Sequence, residues 1–197
     1  MFYLAEKEAS KGGKVGMEIG TLREQILIAL LIYKFGADNV ELGDPSSPDF
    51  DIRLFGFPIS IKTKTGVFPR NPEKLSGSGV KLIWTVDWKK VHEFFNSYEP
   101  NSELLLVEVV WNREGSFYYI PLEVQREIFT KIGKEKYIFT PRKGTNPRGV
   151  EISNIALSEL ISHKQTNRIG ICWQRPEKEE IDIYEPFRRW IELWEKE

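Results

Sequence analysis

Two stretches of the chain alternate apolar and polar residues with period two: "DFDIRLF" over 49–55 and "FPISIKTK" over 57–64, separated by Gly56. Side chains of a strand point alternately to opposite faces, so this pattern predicts two half-buried strands joined by a tight turn. Before them, "GTLREQILIALLIYKFG" reads as a helix, with Thr21 and Glu24 at capping-box spacing and Gly36 as its stop. It is apolar nearly all round after Gln25, which predicts a place deep in the core. Residues 1–17 are polar and end Gly-rich, the pattern of a mobile arm, and Gly43 to Pro48 is a turn-prone cluster.

Further along, "VKLIWTVD" reads as a strand and "WKKVHEFFNSY" as a helix with Val91, Phe94, Phe95 and Tyr98 inward. "ELLLVEVVW" and "GSFYYIPL" read as strands, "LEVQREIFTKIG" as a helix ended by Gly133. "KYIFTPRKGTNPRGVEI" reads as a strand entering a loop. "SNIALSELISHK" is a helix capped by Ser153, "RIGICWQR" a strand, and "PFRRWIELWEKE" an amphipathic terminal helix. No repeat or long linker divides the chain. The expectation is one α/β (α+β) domain over residues 1–197, a mixed central β-sheet flanked by helices.

Composition narrows the class. The 197 residues are 41% hydrophobic and 29% charged, enough for a real core. The one cysteine, Cys172, excludes an intrachain disulfide and suits a reducing cytoplasmic setting; its apolar surroundings predict a buried filler. No apolar run is long enough to span a membrane, and the N-terminus lacks the apolar core of a signal peptide. "SGSG" lacks the lysine of a nucleotide phosphate loop, so no nucleotide cofactor is expected. His92 and His163 lack the neighbours of a zinc site, and no Ser/His/Asp hydrolase set is evident.

The chemistry lies in the alternating pair. Asp49 and Asp51 share one strand face, and Ser60 and Lys62 share a face of the next. If the strands pair through the Gly56 turn, acids and an ammonium gather at one end of the sheet, within reach of Glu24 or Glu18. Carboxylate oxygens suit Mg²⁺, and a lysine beside them suits attack on a phosphodiester. The ordinary alternative is a turn aspartate after Pro48, a solvated Lys62–Lys64 face and a Glu24 that only caps its helix.

"SPDFDI…SIK" after a helix bearing Glu resembles the PD-(D/E)xK nuclease superfamily, over about residues 18–88. The resemblance implies a restriction-endonuclease-like core, with Asp49 as first acid, Lys62 as the lysine and Glu24 as the helical glutamate of resolvase-like members. Ser60 stands where the pattern has Asp or Glu. Some type II restriction enzymes of this superfamily carry Ser-x-Lys and take the missing acid from elsewhere; Glu24, Glu73 and Asp51 are the candidates here. The resemblance thus implies Asp49, Lys62, Glu24 and Ser60 as catalytic, and Asp49, Asp51, Glu24 and Glu73 as metal ligands. It leaves Asp49 against Asp51 open.

Net charge is only −1, but bases segregate. Six lie between Lys131 and Arg148 against one acid, and the loop "TPRKGTNPRG" joins base-reading residues to glycines. The expected DNA-contacting region is 131–175. The DNA-binding candidates are Lys64, Arg142, Lys143, Asn146, Arg148, Lys164, Gln165, Asn167 and Arg168. The leading expectation is a Mg²⁺-dependent type II restriction enzyme acting on double-stranded DNA as a homodimer, with "FRRWIELWEKE" as a candidate dimer surface. A structure-selective nuclease of junction-resolvase or repair type, and an inactive DNA-binding protein on the same core, are the rivals.

Overall fold

The hairpin expected around Gly56 forms. In a computed structural model describing residues 1–11, 17–44, 50–142, 144–175 and 185–196, β2 (Ile52–Leu54) pairs antiparallel with β3 (Phe57–Thr65). Phe55 (φ 51°) and Gly56 (φ 82°) fill a two-residue turn. Positive φ at both central positions matches the right-handed twist of the flanking strands, which is why so short a connection works.

Ahead of the hairpin lie α1 (Phe2–Lys11), α2 (Met17–Phe35), a 3-10 turn at Ala37–Asn39 and β1 (Val40–Leu42). After it come β4 (Gly77–Ile83), α3 (Trp88–Ser97), β5 (Glu103–Val109) and β6 (Arg113–Ile120). Next are α4 (Leu122–Ile132), the single turn α5 (Lys134–Tyr137), β7 (Ile138–Phe139), β8 (Val150–Ser153), α6 (Asn154–Ser162), β9 (Asn167–Trp173) and α7 (Glu185–Trp194).

The main sheet has the order β1-β2-β3-β5-β6-β9. It is mixed: β3 and β5 run parallel, with Ser60 opposite Leu104 and Lys62 opposite Leu106, and its other neighbours pair antiparallel. A smaller antiparallel sheet, β4-β8-β7, packs with α3, α4 and α6 on one face. β5 is buried on both faces. Leu104 and Leu106 enter a core with Phe68, Val80, Val91 and Leu157. Val107 and Val109 enter a second core with Ile59, Ile61, Leu27 and Phe2. An α/β core with helices on both faces is therefore present.

Several sequence expectations give way here. The N-terminal arm is a helix over residues 2–11: Phe2, Ala5 and Ala9 recur on one face and are buried, and Phe2 stacks on Trp173 at 5.0 Å. Glu6 of α1 accepts hydrogen bonds from the buried Arg23, from Trp111 Nε1 (2.9 Å) and from Arg175 (3.2 Å). α2 starts at Met17, so Thr21 and Glu24 sit inside the helix, not at its cap. It does not lie deep either, since Leu30 and Tyr33 are exposed and Leu27 is buried. Cys172 is exposed, because β9 is an edge strand with most of its length in solvent. Among the described residues no helix is long and apolar enough to cross a membrane.

Candidate active site

The strand lengths set the site. β2 pairs with β3 only as far as Ile52 opposite Ile59, while β3 runs on to Thr65 beside β5. Past Ile59, the β2 side of β3 is open. Asp51 stands where β2 begins, its backbone N–H donating to the Ile59 carbonyl at 3.0 Å. Its side chain then covers the open edge, and Oδ2 accepts the Ile61 backbone N–H.

The same oxygen accepts from Ser60 Oγ at 3.2 Å and from Lys62 Nζ at 3.2 Å. Three donors converge on one carboxylate oxygen. Among the described residues Oδ1 has no hydrogen-bond partner. The Asp51 and Lys62 side chains are only partly exposed, so their attraction is less screened than that of a surface pair.

Glu24 reaches this corner from α2, on the other face of the sheet. Its carboxyl is pushed up to about 7, chiefly by burial and then by the negative charge of Asp51, with Lys62 pulling the other way. Among the described residues it receives no hydrogen bond. Glu24 and Asp51 thus form a pair of carboxylates with one lysine and too few donors to satisfy both. Such a site is electrostatically incomplete and favours a cation.

The donor set fits a hard divalent ion. Mg²⁺ is commonly held by one or two carboxylates, with water and phosphate oxygens completing its shell. Glu24 and Asp51 Oδ1 offer such oxygens. Among the described residues no group of three or more His, Cys, Asp or Glu side chains forms a metal cage.

The other candidates divide. Asp49 lies outside the described residues, and Asp51 is the acid in contact with Lys62. Glu73 is exposed in the loop after β3 and joins no such group with Glu24 and Asp51. Lys64, expected to contact DNA, turns inward: its Nζ donates to the Ser78 carbonyl and lies 5.7 Å from the Phe68 ring centroid. Burial lowers its pKa. Arg168 Nε donates to Ser116 Oγ at 2.8 Å, and Nη2 pairs with Glu114 at 2.9 Å. Arg142, Asn146, Arg148, Lys164, Gln165 and Asn167 are exposed, and Lys143 lies outside the described residues.

Two contributors had no sequence signal. One is the Ile61 amide, a backbone group made available only because β2 is shorter than β3. The other is Arg23, which is 2% exposed and bridges Glu6 to Thr65 Oγ1 (2.9 Å). It ties the helix carrying Glu24 to the strand carrying Lys62. Recognising it required knowing that residues 2–11 fold onto α2.

The restriction endonuclease ThaI family profile matches residues 1–196. A solved restriction endonuclease in complex with substrate DNA superposes with a TM-score of 0.84 at 49% sequence identity, covering 100% of this chain and 89% of that one. No curated protein matches the chain. Fold and comparisons together define a type II site-specific deoxyribonuclease. Enzymes of this kind generally work with a divalent metal ion. Within that class, the chain belongs to the ThaI restriction endonuclease family.

Proposed function

We propose that this endonuclease hydrolyses the phosphodiester backbone of double-stranded DNA with Mg²⁺ held by Asp51 and Glu24, and with Lys62 as the catalytic lysine. The observation that carries the reading is the Asp51–Lys62 pair at the open edge of β3, close enough to Glu24 for both charges to act on its carboxyl. The neighbour's substrate DNA supports duplex DNA as the ligand.

When bound, Mg²⁺ supplies Lewis acidity to the phosphodiester and makes water a better nucleophile. Asp51 and Glu24 place two negative oxygens where the ion is needed, and Glu24 must give up its proton to serve. Lys62 Nζ, held at 3.2 Å from Asp51, orients the attacking water and offsets charge that develops on the phosphate. Ser60 is neutral and is no substitute for a carboxylate. Its hydroxyl donates to Asp51, and Glu24 supplies the acid the position lacks.

The enzyme works as a homodimer in this reading, since two-fold symmetry places one site on each strand of a symmetric target. The exposed Phe187, Ile191, Leu193 and Trp194 of α7 support that helix as the contact. Exposed Arg142, Asn146, Arg148, Lys164, Gln165 and Asn167, with Lys143, form the DNA-contacting set. A single unpaired cysteine supports a cytoplasmic location.

The test is plasmid DNA with Mg²⁺, and with chelator in its place. Discrete fragments that need Mg²⁺ are expected. Cleavage that persists in chelator contradicts the metal assignment, and nicking confined to four-way junctions contradicts the duplex one.

A further inference from the structure

Ser60 sits where the superfamily pattern has an acid, yet it is not an idle replacement. Its Oγ donates to Asp51 Oδ2 at 3.2 Å, onto the oxygen already taken by the Ile61 amide and Lys62. The loading of the carboxylate is one-sided. A carboxylate with several donors on one oxygen has its plane fixed and its second oxygen directed, as hydrogen-bonded partners orient metal-binding groups in general.

The Ile61 amide fixes Asp51 from the strand edge. Lys62 is a weaker orienting partner if it must also attend to substrate. Ser60 is the side-chain donor with no second task. Its side chain also lines a cavity of about 160 Å³ with Lys62, Leu82, Phe94 and Tyr98, so a slightly larger hydroxyl residue has room there.

We propose that Ser60 is a positioning residue that holds Asp51 with Oδ1 presented to the metal. The inference rests on Asp51 being a metal ligand. It assigns Ser60 no contact with the ion or the DNA.

The experiment is a Mn²⁺ titration of the full-length protein without DNA, followed by the loss of the free-ion electron paramagnetic resonance signal. Ser60→Ala, Ser60→Thr, Asp51→Asn and the Ser60→Ala/Asp51→Asn double variant are compared with the wild type. Thermal unfolding confirms that each one folds. Loss of an orienting partner weakens metal affinity by about 10–100-fold in known sites. Ser60→Ala is expected near the lower end, roughly tenfold weaker, because the Ile61 amide and Lys62 remain. Ser60→Thr restores the affinity to within about threefold, and Ser60→Ala adds nothing once Asp51 is Asn. In cleavage assays Ser60→Ala raises the Mg²⁺ requirement while the KM for DNA stays unchanged.

Wild-type Mn²⁺ affinity in Asp51→Asn overturns the ligand reading itself. Loss of binding in Asp51→Asn with wild-type binding in Ser60→Ala overturns only the role of Ser60. Failure of Ser60→Thr to restore binding, or a further loss when Ser60→Ala is added to Asp51→Asn, overturns it too.

Discussion

Glu108 and Glu24 are both glutamates drawn out of water beside the same sheet, and the protein treats them oppositely. Glu108, on β5, is 3% exposed and well supplied with donors. Its Oε1 accepts the Phe68 N–H at 2.6 Å, and Oε2 accepts the Tyr118 hydroxyl at 3.3 Å with Arg70 at 3.6 Å. Glu24 faces another carboxylate and receives no hydrogen bond from the described residues. The first carboxylate is finished by the fold and pins the segment after β3. The second is left without donors among the described residues, which is what the proposed metal site requires. Burial alone does not mark a functional acid; the shortage of donors does.

Four substitutions and one calorimetric titration bear on that contrast. The largest effect is expected at Lys62. Lys62→Ala should lower the cleavage rate by about 10²–10⁴-fold, the range for losing a positioned catalytic group. DNA binding should be largely kept, as gel shift in Ca²⁺ would show. Next comes Glu108→Gln, which takes the charge from a buried acceptor of the Phe68 N–H and the Tyr118 hydroxyl and breaks its ion pair with the exposed Arg70. A loss of about 1–3 kcal/mol in urea unfolding is expected, with metal affinity unchanged.

Glu24→Gln should do the reverse, abolishing metal binding but helping the metal-free fold. The Glu24 carboxyl titrates at about 7 in the folded chain against its ordinary 4.5. Between those values the folded state holds more protons than the unfolded one, so stability falls as pH rises from about 4.5 to about 7. Gln removes that loss. After discounting for partial exposure, Glu24→Gln should gain about 1–2 kcal/mol at pH 8 relative to its difference at pH 4. For the same reason, metal binding below pH 7 should release a proton, measurable by calorimetry in buffers of different ionisation enthalpy. The smallest change is expected at single exposed bases. Lys164→Ala should weaken DNA binding modestly and reduce the slope of log affinity against log salt by about 1.

Much of this was legible in the sequence because it depends on local pattern. The alternation over 49–55 and 57–64 gave the hairpin, and Gly56 gave its turn. Ser60 and Lys62 fall on one face by parity alone. What stayed hidden depends on long-range partners. Residues 1–17 look like an arm because they are mostly polar and end Gly-rich, and the anchors for Glu6 are Arg23, Trp111 and Arg175, far along the chain. Lys64 looks like a DNA contact because nothing nearby reveals the Ser78 carbonyl that receives it. Thr21 and Glu24 have the spacing of a cap, but the helix begins at Met17 and so leaves Glu24 free to face Asp51.

Everything in the proposed mechanism depends on the two carboxylates beside Lys62 holding the catalytic ion. The most direct measurement is anomalous diffraction from a crystal of the DNA complex soaked in Mn²⁺. A peak is expected about 2–2.3 Å from oxygens of both Asp51 and Glu24, and within coordination distance of a backbone phosphate. A peak held by other residues, with Asp51 and Glu24 turned away from it, would contradict that assignment.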